Sequence, residues 1–298
     1  MSTTACAARI LDSFNQGRRK APISFEIFPP KGDLTLDQAR EVAGGLAQLG
    51  PSYISVTCSA GGSSVAGKSP NATARTVSVI QEEFNVPGMA HVTCIGATEE
   101  SLQDVIADLK QRNISTVLAL RGDLVEGAKP GPFKLAVDLI PRLKEAGFTV
   151  AAAAYPEGHV DCLDPRENIR HLKLKQDAGA DFFVTQLFFS NDVLYRFLED
   201  AHQAGVTAPI DCGVMPFMSK SQIQRMVFMC GASLPSPIIK LLAKYEGNED
   251  DLLKAGVEYA AQQLVDLDAH GVDGLHLYSM NRPAVARACV EAVRAARA

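Results

Sequence analysis

The chain has 298 residues, 47% hydrophobic and 21% charged, with a formal net charge of −5, a composition suited to a globular protein with a large core. No run approaches the roughly 18 apolar residues of a membrane span, and Met1-Ser2-Thr3-Thr4-Ala5-Cys6 lacks the basic start and apolar stretch of an export signal, so a cytoplasmic protein is expected. The acidic balance argues against nucleic acid as the main partner, and seven scattered cysteines without Cys-x-x-Cys spacing argue against a disulfide frame or a zinc site.

Residues 1–20 read as a helical or flexible extension. Beyond them apolar runs alternate with helical periodicity: strand 23–28, helix 35–49, strand 53–58, helix 70–84, strand 89–94, helix 99–112 behind the N-cap Thr98, and strand 116–120. Helix 133–146, strand 149–155, helix 166–178, strand 182–188, helix 192–204 and strand 210–215 follow. A longer helical region, 220–229, 235–245 and 249–270, precedes strand 275–280 and helix 284–297. Gly147, Gly179, Gly205 and Gly271 stand where helices should stop. Eight strand–helix units without a linker predict a single (β/α)8 TIM barrel over 1–298, with a doubly wound open sheet as the structural alternative.

In such a barrel the site lies at the C-terminal ends of the strands. Those positions carry Thr57, His91, Thr93, Arg121-Gly122-Asp123, Tyr155, Glu157, His159, Gln186 and Asn281-Arg282, whereas the loops entering the strands are mostly Gly, Pro and small polar residues. Glu26 interrupts the apolar run Ile23-Ser24-Phe25-Glu26-Ile27-Phe28 before Pro29 and Pro30. A carboxyl facing a barrel interior is favoured in its neutral form and can donate its proton near neutral pH, which makes Glu26 the candidate general acid. The alternation equally allows Ser24 and Glu26 on a solvated strand face.

Gly62-Ser-Ser-Val-Ala-Gly67-Lys68-Ser69 satisfies the phosphate-loop pattern of nucleotide hydrolases, but Pro70 holds Ser69 out of helical geometry and delays the helix whose N–H groups would face the phosphates. A Gly/Ser loop over the site is the alternative. His202 and His270 fall on helices or helix ends, as does His171, and His276 inside the last strand reads as a satisfied interior histidine or a functional one. No histidine pair has zinc-helix spacing, and no G-x-G-x-x-G fingerprint is present.

The ordered set Ser24-Phe-Glu26-Ile-Phe-Pro-Pro30, Ser55-Val-Thr57, His91-Val-Thr-Cys94, Ala119-Leu-Arg-Gly-Asp123, Ala154-Tyr-Pro-Glu-Gly-His159, the K-L-K-Q-D-A-G-A run from Lys173 to Ala180, Thr185-Gln186-Leu-Phe-Phe189 and Tyr278-Ser-Met-Asn-Arg282 closely resembles bacterial methylenetetrahydrofolate reductases from about residue 22 to the last helix. The resemblance implies an FAD-containing barrel that reduces 5,10-methylenetetrahydrofolate to 5-methyltetrahydrofolate in one-carbon metabolism and methionine biosynthesis. It makes Glu26 the acid that assists ring opening and Asp123 a group that contacts the pterin and tunes the flavin. Thr57, His91, Arg121, Gly122, Asp123, Tyr155, His159, Asn168, His171 and Lys175 match positions that hold FAD, with Arg121, His171 and Lys175 toward its phosphates or ribose. Gln186, Tyr278 and Arg282 match the folate side. NADH or NADPH is the implied electron donor, a homo-oligomer the implied assembly, and a flavin-binding subunit fed by an electron-transfer partner the alternative. Met226, flanked by Phe217 and Phe228, aligns where nicotinamide-using relatives offer an aromatic. The chain ends with the eighth barrel helix, so control by S-adenosylmethionine through an added C-terminal domain is not expected.

Overall fold

A computed structural model describes residues 3–14, 20–30, 35–58, 72–122 and 131–298. The strands are β1 (Ile23–Ile27), β2 (Ile54–Val56), β3 (Gly88–Thr93), β4 (Thr116–Leu120), β5 (Thr149–Ala154), β6 (Phe182–Thr185), β7 (Ile210–Val214) and β8 (Gly274–Tyr278), all parallel and hydrogen-bonded in sequence order into a closed barrel. The helices are α1 (Thr3–Ser13), α2 (Leu36–Ala47), α3 (Ala72–Phe84), α4 (Glu99–Gln111), α5 (Ala136–Glu145), α6 (Pro165–Asp177), α7 (Asn191–Gln203), α8 (Lys220–Cys230), α9 (Ser236–Lys244), α10 (Glu249–His270) and α11 (Pro283–Ala296). Pairing of β1 with β8, with Ser24 opposite His276 and Glu26 opposite Tyr278, closes the sheet and excludes the open alternative.

Helix starts follow cap chemistry. Thr98 Oγ1 accepts the Ser101 N–H at 3.1 Å, and the acidic first turn of α4 suits the positive end of the helix dipole. α5 begins at Ala136 rather than at 133, because Asp138 Oδ2 accepts the N–H groups of Lys134 and Leu135 at 2.9 and 3.0 Å and holds the entry extended. At the far end of α10, Gly271 adopts φ +76, a left-handed cap that a β-carbon would strain.

Alternation along the strands divides the core into two shells. Phe25, Ile27, Val117, Val150, Ala152 and Phe183 point outward to the helices, in the large cluster between sheet and helix ring. Tyr53, Met89, Leu118, Ala151, Phe182 and Val184 point inward and fill the lower barrel, where Ile10 and Phe14 of the N-terminal segment close it from below. Phe182 is the centre of that plug, with ring centroids 5.2 Å from Phe14 and 6.1 Å from Tyr53. Burial of each such phenylalanine contributes about 1.5–3 kcal/mol, and the plugged lower end leaves the upper mouth as the place for chemistry. No helix among the described residues is long and apolar enough to cross a membrane.

Candidate active site at the mouth of the barrel

Glu26, one residue before the end of β1, points into the barrel and not into solvent. The alternation noted in the sequence is present, and its Ser24/Glu26 face is the barrel interior. The Glu26 side chain is 13% exposed, and its Oε2 lies 3.4 Å from His91 Nε2 on β3 and 3.9 Å from His276 Nε2 on β8. Tyr278 reaches across the mouth to donate to the Thr185 carbonyl, and its ring meets His276 edge-on at 5.2 Å. The path is open because residue 213 is glycine: a β-carbon there would fall 2.7 Å from the Tyr278 ring. Burial lowers the His91 pKa below its ordinary 6.5, Glu26 opposing and His276 reinforcing the shift, so His91 is neutral at pH 7. Its Nε2 has no hydrogen-bond partner among the described residues.

The backbone around Glu26 is tied to the end of β8. Ser279 Oγ donates to the Glu26 carbonyl at 2.7 Å, while Asn281 accepts the Phe28 N–H at 2.8 Å and returns a donor to the Phe28 carbonyl at 3.2 Å. Met280 and Asn281 reach this position with φ +53 and +56, left-handed values that cost non-glycine residues energy and that the clamp holds in place. Asn281→Ala is expected to lose about 1–3 kcal/mol of stability in urea unfolding, the worth of two side-chain bonds; Asn281→Asp, which keeps the acceptor, should recover about half.

A second group of residues lies beyond β2, β4 and β5. Thr57, just past β2, is buried with Oγ1 unpartnered among the described residues, while its carbonyl accepts from Thr73 at 2.9 Å. Arg121 Nη1 pairs with Asp161 Oδ2 at 2.8 Å, and Gly122 turns with φ +86 where a β-carbon would press on Thr93 and Ile95 at 3.0 Å. Tyr155 meets His159 edge-on at 4.9 Å, its carbonyl accepts from Asn168 Nδ2 at 2.8 Å, and Lys175 Nζ sits 5.0 Å over its ring. Lys175 also donates to the Ala153 carbonyl at 2.8 Å, and burial pulls its pKa from 10.5 to about 8.

At Lys175 the unfolded chain binds more protons than the folded one between about pH 8 and 10.5, so this lysine's contribution to stability rises with pH across that window. Buried thiols and tyrosines with raised pKa values act in the opposite sense, so the contribution is read as a difference: the unfolding free energy of the ligand-free protein minus that of Lys175→Met should show this rise. A bound anion beside Nζ would restore the lysine's affinity for its proton and flatten the same rise.

Other expected residues stand apart. His171 is partly exposed on α6, with Nε2 3.1 Å from Glu167 Oε1. Gln186, directly after β6, turns its Oε1 back onto the Leu187 N–H at 2.9 Å. Arg282 is exposed at the start of α11, where its carbonyl accepts from Val285 and Ala286. Asp123 and the phosphate-loop pattern Gly62–Ser69 lie outside the described residues. Three interior polar residues near Glu26 were not among the expected site residues: Ser24, Tyr53 and Asp211. Asp211 carried the same sign as Glu26, a carboxylate inside an apolar strand-like run, Ile210-Asp211-Cys212-Gly213-Val214.

The family model for methylenetetrahydrofolate reductase matches residues 10–294. The chain belongs to the methylenetetrahydrofolate reductase family. Among its relatives, 5,10-methylenetetrahydrofolate reductase of Salmonella typhimurium is 31% identical over 264 residues, covering 87% of this chain and 86% of that protein. Methylenetetrahydrofolate reductase (NADH) 1 of Arabidopsis thaliana is 31% identical over 275 residues, 87% of this chain and 46% of the plant protein. The chain thus spans about half the length of this and other eukaryotic family members. In fold it is similar, with TM-score 0.66 at 15% identity over 96% and 97% of the two chains, to an uncharacterized protein from Clostridium thermocellum that binds two copies of 5-methyl-5,6,7,8-tetrahydrofolic acid.

Proposed function

We propose that this family member reduces 5,10-methylenetetrahydrofolate to 5-methyltetrahydrofolate, with FAD as its bound cofactor and Glu26 as the general acid. One observation carries the reading: the Glu26 carboxyl stands at the barrel mouth, nearly enclosed, with Nε2 of two buried imidazoles within 3.4 and 3.9 Å. Neutral Glu26 hands its proton to N10 of the folate. The electron pair of the breaking C–N10 bond then departs onto a protonated amine, an effect worth about 10² to 10⁴ in rate. The one-carbon unit is left as an electrophilic iminium on N5. His91, uncharged, is able to hydrogen-bond Glu26 without drawing off its proton.

The residues beyond β2, β4 and β5 fit a large anionic cofactor. A buried Thr57 hydroxyl without a partner among the described residues, the glycine turn at Gly122, and a desolvated lysine with no offsetting carboxylate among them form a setting in which a diphosphate would supply partners. Arg121, Lys175 and His171 would face its charge, with Thr57, Tyr155, His159 and Asn168 along its length. FAD, when bound, supplies hydride transfer. Asp123 would place negative charge beside the pterin, and Gln186, Tyr278 and Arg282 would hold the folate. The naming of plant relatives supports NADH as donor. Purified protein should carry flavin absorption, and the flavin should bleach with NADH and recover its colour with methylenetetrahydrofolate. Colourless protein that takes up no added FAD would defeat the reading; flavin that bleaches only with another reductant would point to a partner-fed subunit.

A further inference from the structure

Below Glu26 the barrel interior holds four polar side chains to which the proposed reaction assigns no step. Ser24, two residues earlier on the same face of β1, lies 2.7 Å through Oγ from His276 Nδ1 and 2.7 Å from Asp211 Oδ2. Tyr53 donates to that same Asp211 oxygen at 2.7 Å and stacks on the His276 ring at 5.9 Å. His276 in turn presents Nε2 toward Glu26. Ser24, Tyr53 and His276 have no exposure and Asp211 has 1%. Beneath them Phe14 closes the barrel, and residue 274 must be glycine because a β-carbon would meet Asp211 Oδ1 at 2.6 Å and the Phe14 ring at 2.8 Å. The one partly exposed member of the chain is Glu26.

We propose that Asp211, Ser24 and His276 form a closed proton relay behind Glu26, in which Asp211 keeps a reserve proton that recharges Glu26 after it has protonated the substrate. The inference rests on Glu26 being the general acid. A serine hydroxyl has one proton to give, so between an imidazole nitrogen and a carboxyl oxygen it can donate to only one of them. With one ring proton on His276, two arrangements are self-consistent along the bonds from Asp211 Oδ2 through Ser24 to His276 Nδ1, while Asp211 Oδ1 has no partner among the described residues. In the first, Asp211 is a neutral acid donating to Ser24, Ser24 donates to His276 Nδ1, and the Nε2–H of His276 faces an ionised Glu26. In the second, Glu26 is neutral and donates to a bare His276 Nε2, Nδ1–H donates to Ser24, and Ser24 donates to an ionised Asp211.

The first converts to the second when three protons each cross one hydrogen bond: Asp211 to Ser24, Ser24 to Nδ1, and Nε2 to Glu26. One proton moves in net terms from Asp211 to Glu26, charge is conserved, and no other reactant is needed. The 3.9 Å separation at Glu26 exceeds a hydrogen bond and closes by rotation about the soft terminal torsion of that side chain. Glu26 is faced by His91, His276 and Tyr278, and Asp211 by Ser24, Tyr53, His276 and Asp273. Burial, with the Asp273 carboxylate adding, raises the Asp211 pKa above its ordinary range despite the opposing His276, Tyr53 and Ser24, as a proton store requires.

Ser24→Ala cuts the relay, and Asp211→Asn removes the store. In the folate half-reaction of flavin-loaded enzyme, each should move the alkaline limb of the rate profile down by about one pH unit, a tenfold loss on that limb, while flavin reduction is unchanged. Ser24→Thr, which restores the hydroxyl, should move the limb back. A purely structural role would lower the rate at all pH values without moving the limb, and that result, or an unmoved limb, overturns the relay. Infrared spectra provide a reading independent of turnover. A protonated-carboxyl band should persist at neutral pH in Glu26→Gln and vanish when Asp211→Asn is added to it, and its absence from Glu26→Gln would also overturn the proposal. Normal folate reduction by Glu26→Gln would instead remove the general acid itself, which separates the two failures.

Discussion

Glu26→Gln should bind flavin and accept electrons at the normal rate, yet reduce methylenetetrahydrofolate about 10² to 10⁴ times more slowly, the usual worth of a positioned general acid. The substitution keeps size and hydrogen-bonding capacity. What disappears is a proton that can be given to N10 at a cost the reaction can meet. Glu26 lies inside the barrel at 13% exposure, and its backbone is held by Ser279 at 2.7 Å, so a glutamine should occupy the same place without repacking. Stopped-flow measurement of the two half-reactions separates the effects: the reductive step should be unchanged and the folate step slowed. Equal slowing of both would mean that the site had been distorted rather than deprived of its acid, and an unslowed folate step would end the assignment.

Phe182→Ala should cost about 3–5 kcal/mol in denaturant unfolding, the range for emptying a buried aromatic site. Phe182 is fully buried in the inner shell, between Phe14 from the N-terminal segment and Tyr53. Both neighbours are fixed by other contacts and would not readily collapse into the space, since Tyr53 is bonded to Asp211 and Phe14 lies over Gly274. The void would open directly under the Asp211–Ser24–His276 chain, so a loss of folate turnover should accompany the loss of stability. A loss below 1 kcal/mol would show that the lower barrel is softer than its packing indicates.

The strand–helix alternation was legible because each element carried its own periodicity. β4 was located residue for residue, β5 was placed one residue too long at its end, and β3 was displaced by one position at both ends. α5 was placed early because Phe133 is buried without being helical, and only the folded Asp138 contacts show why the entry is extended. Glu26 was visible as a carboxylate in an apolar run. Asp211 carried the same sign and passed unnoticed, since it lies near the start of its strand and suggests no catalytic position at the strand ends. His276 remained undecided between interior and function; in the structure it is both fully buried and turned toward Glu26.

The order of elements and the end of the barrel that bears the chemistry follow from the chain alone, because hydrophobic period, caps and glycines act over a few neighbouring residues. Which polar side chains meet depends on closure, which brings β1 of the N-terminal third beside β8 of the C-terminal end. Ser24 reaches Asp211 across 187 residues and His276 across 252. No local preference encodes those two distances; they exist only once the barrel has closed and its register has set Ser24 opposite His276.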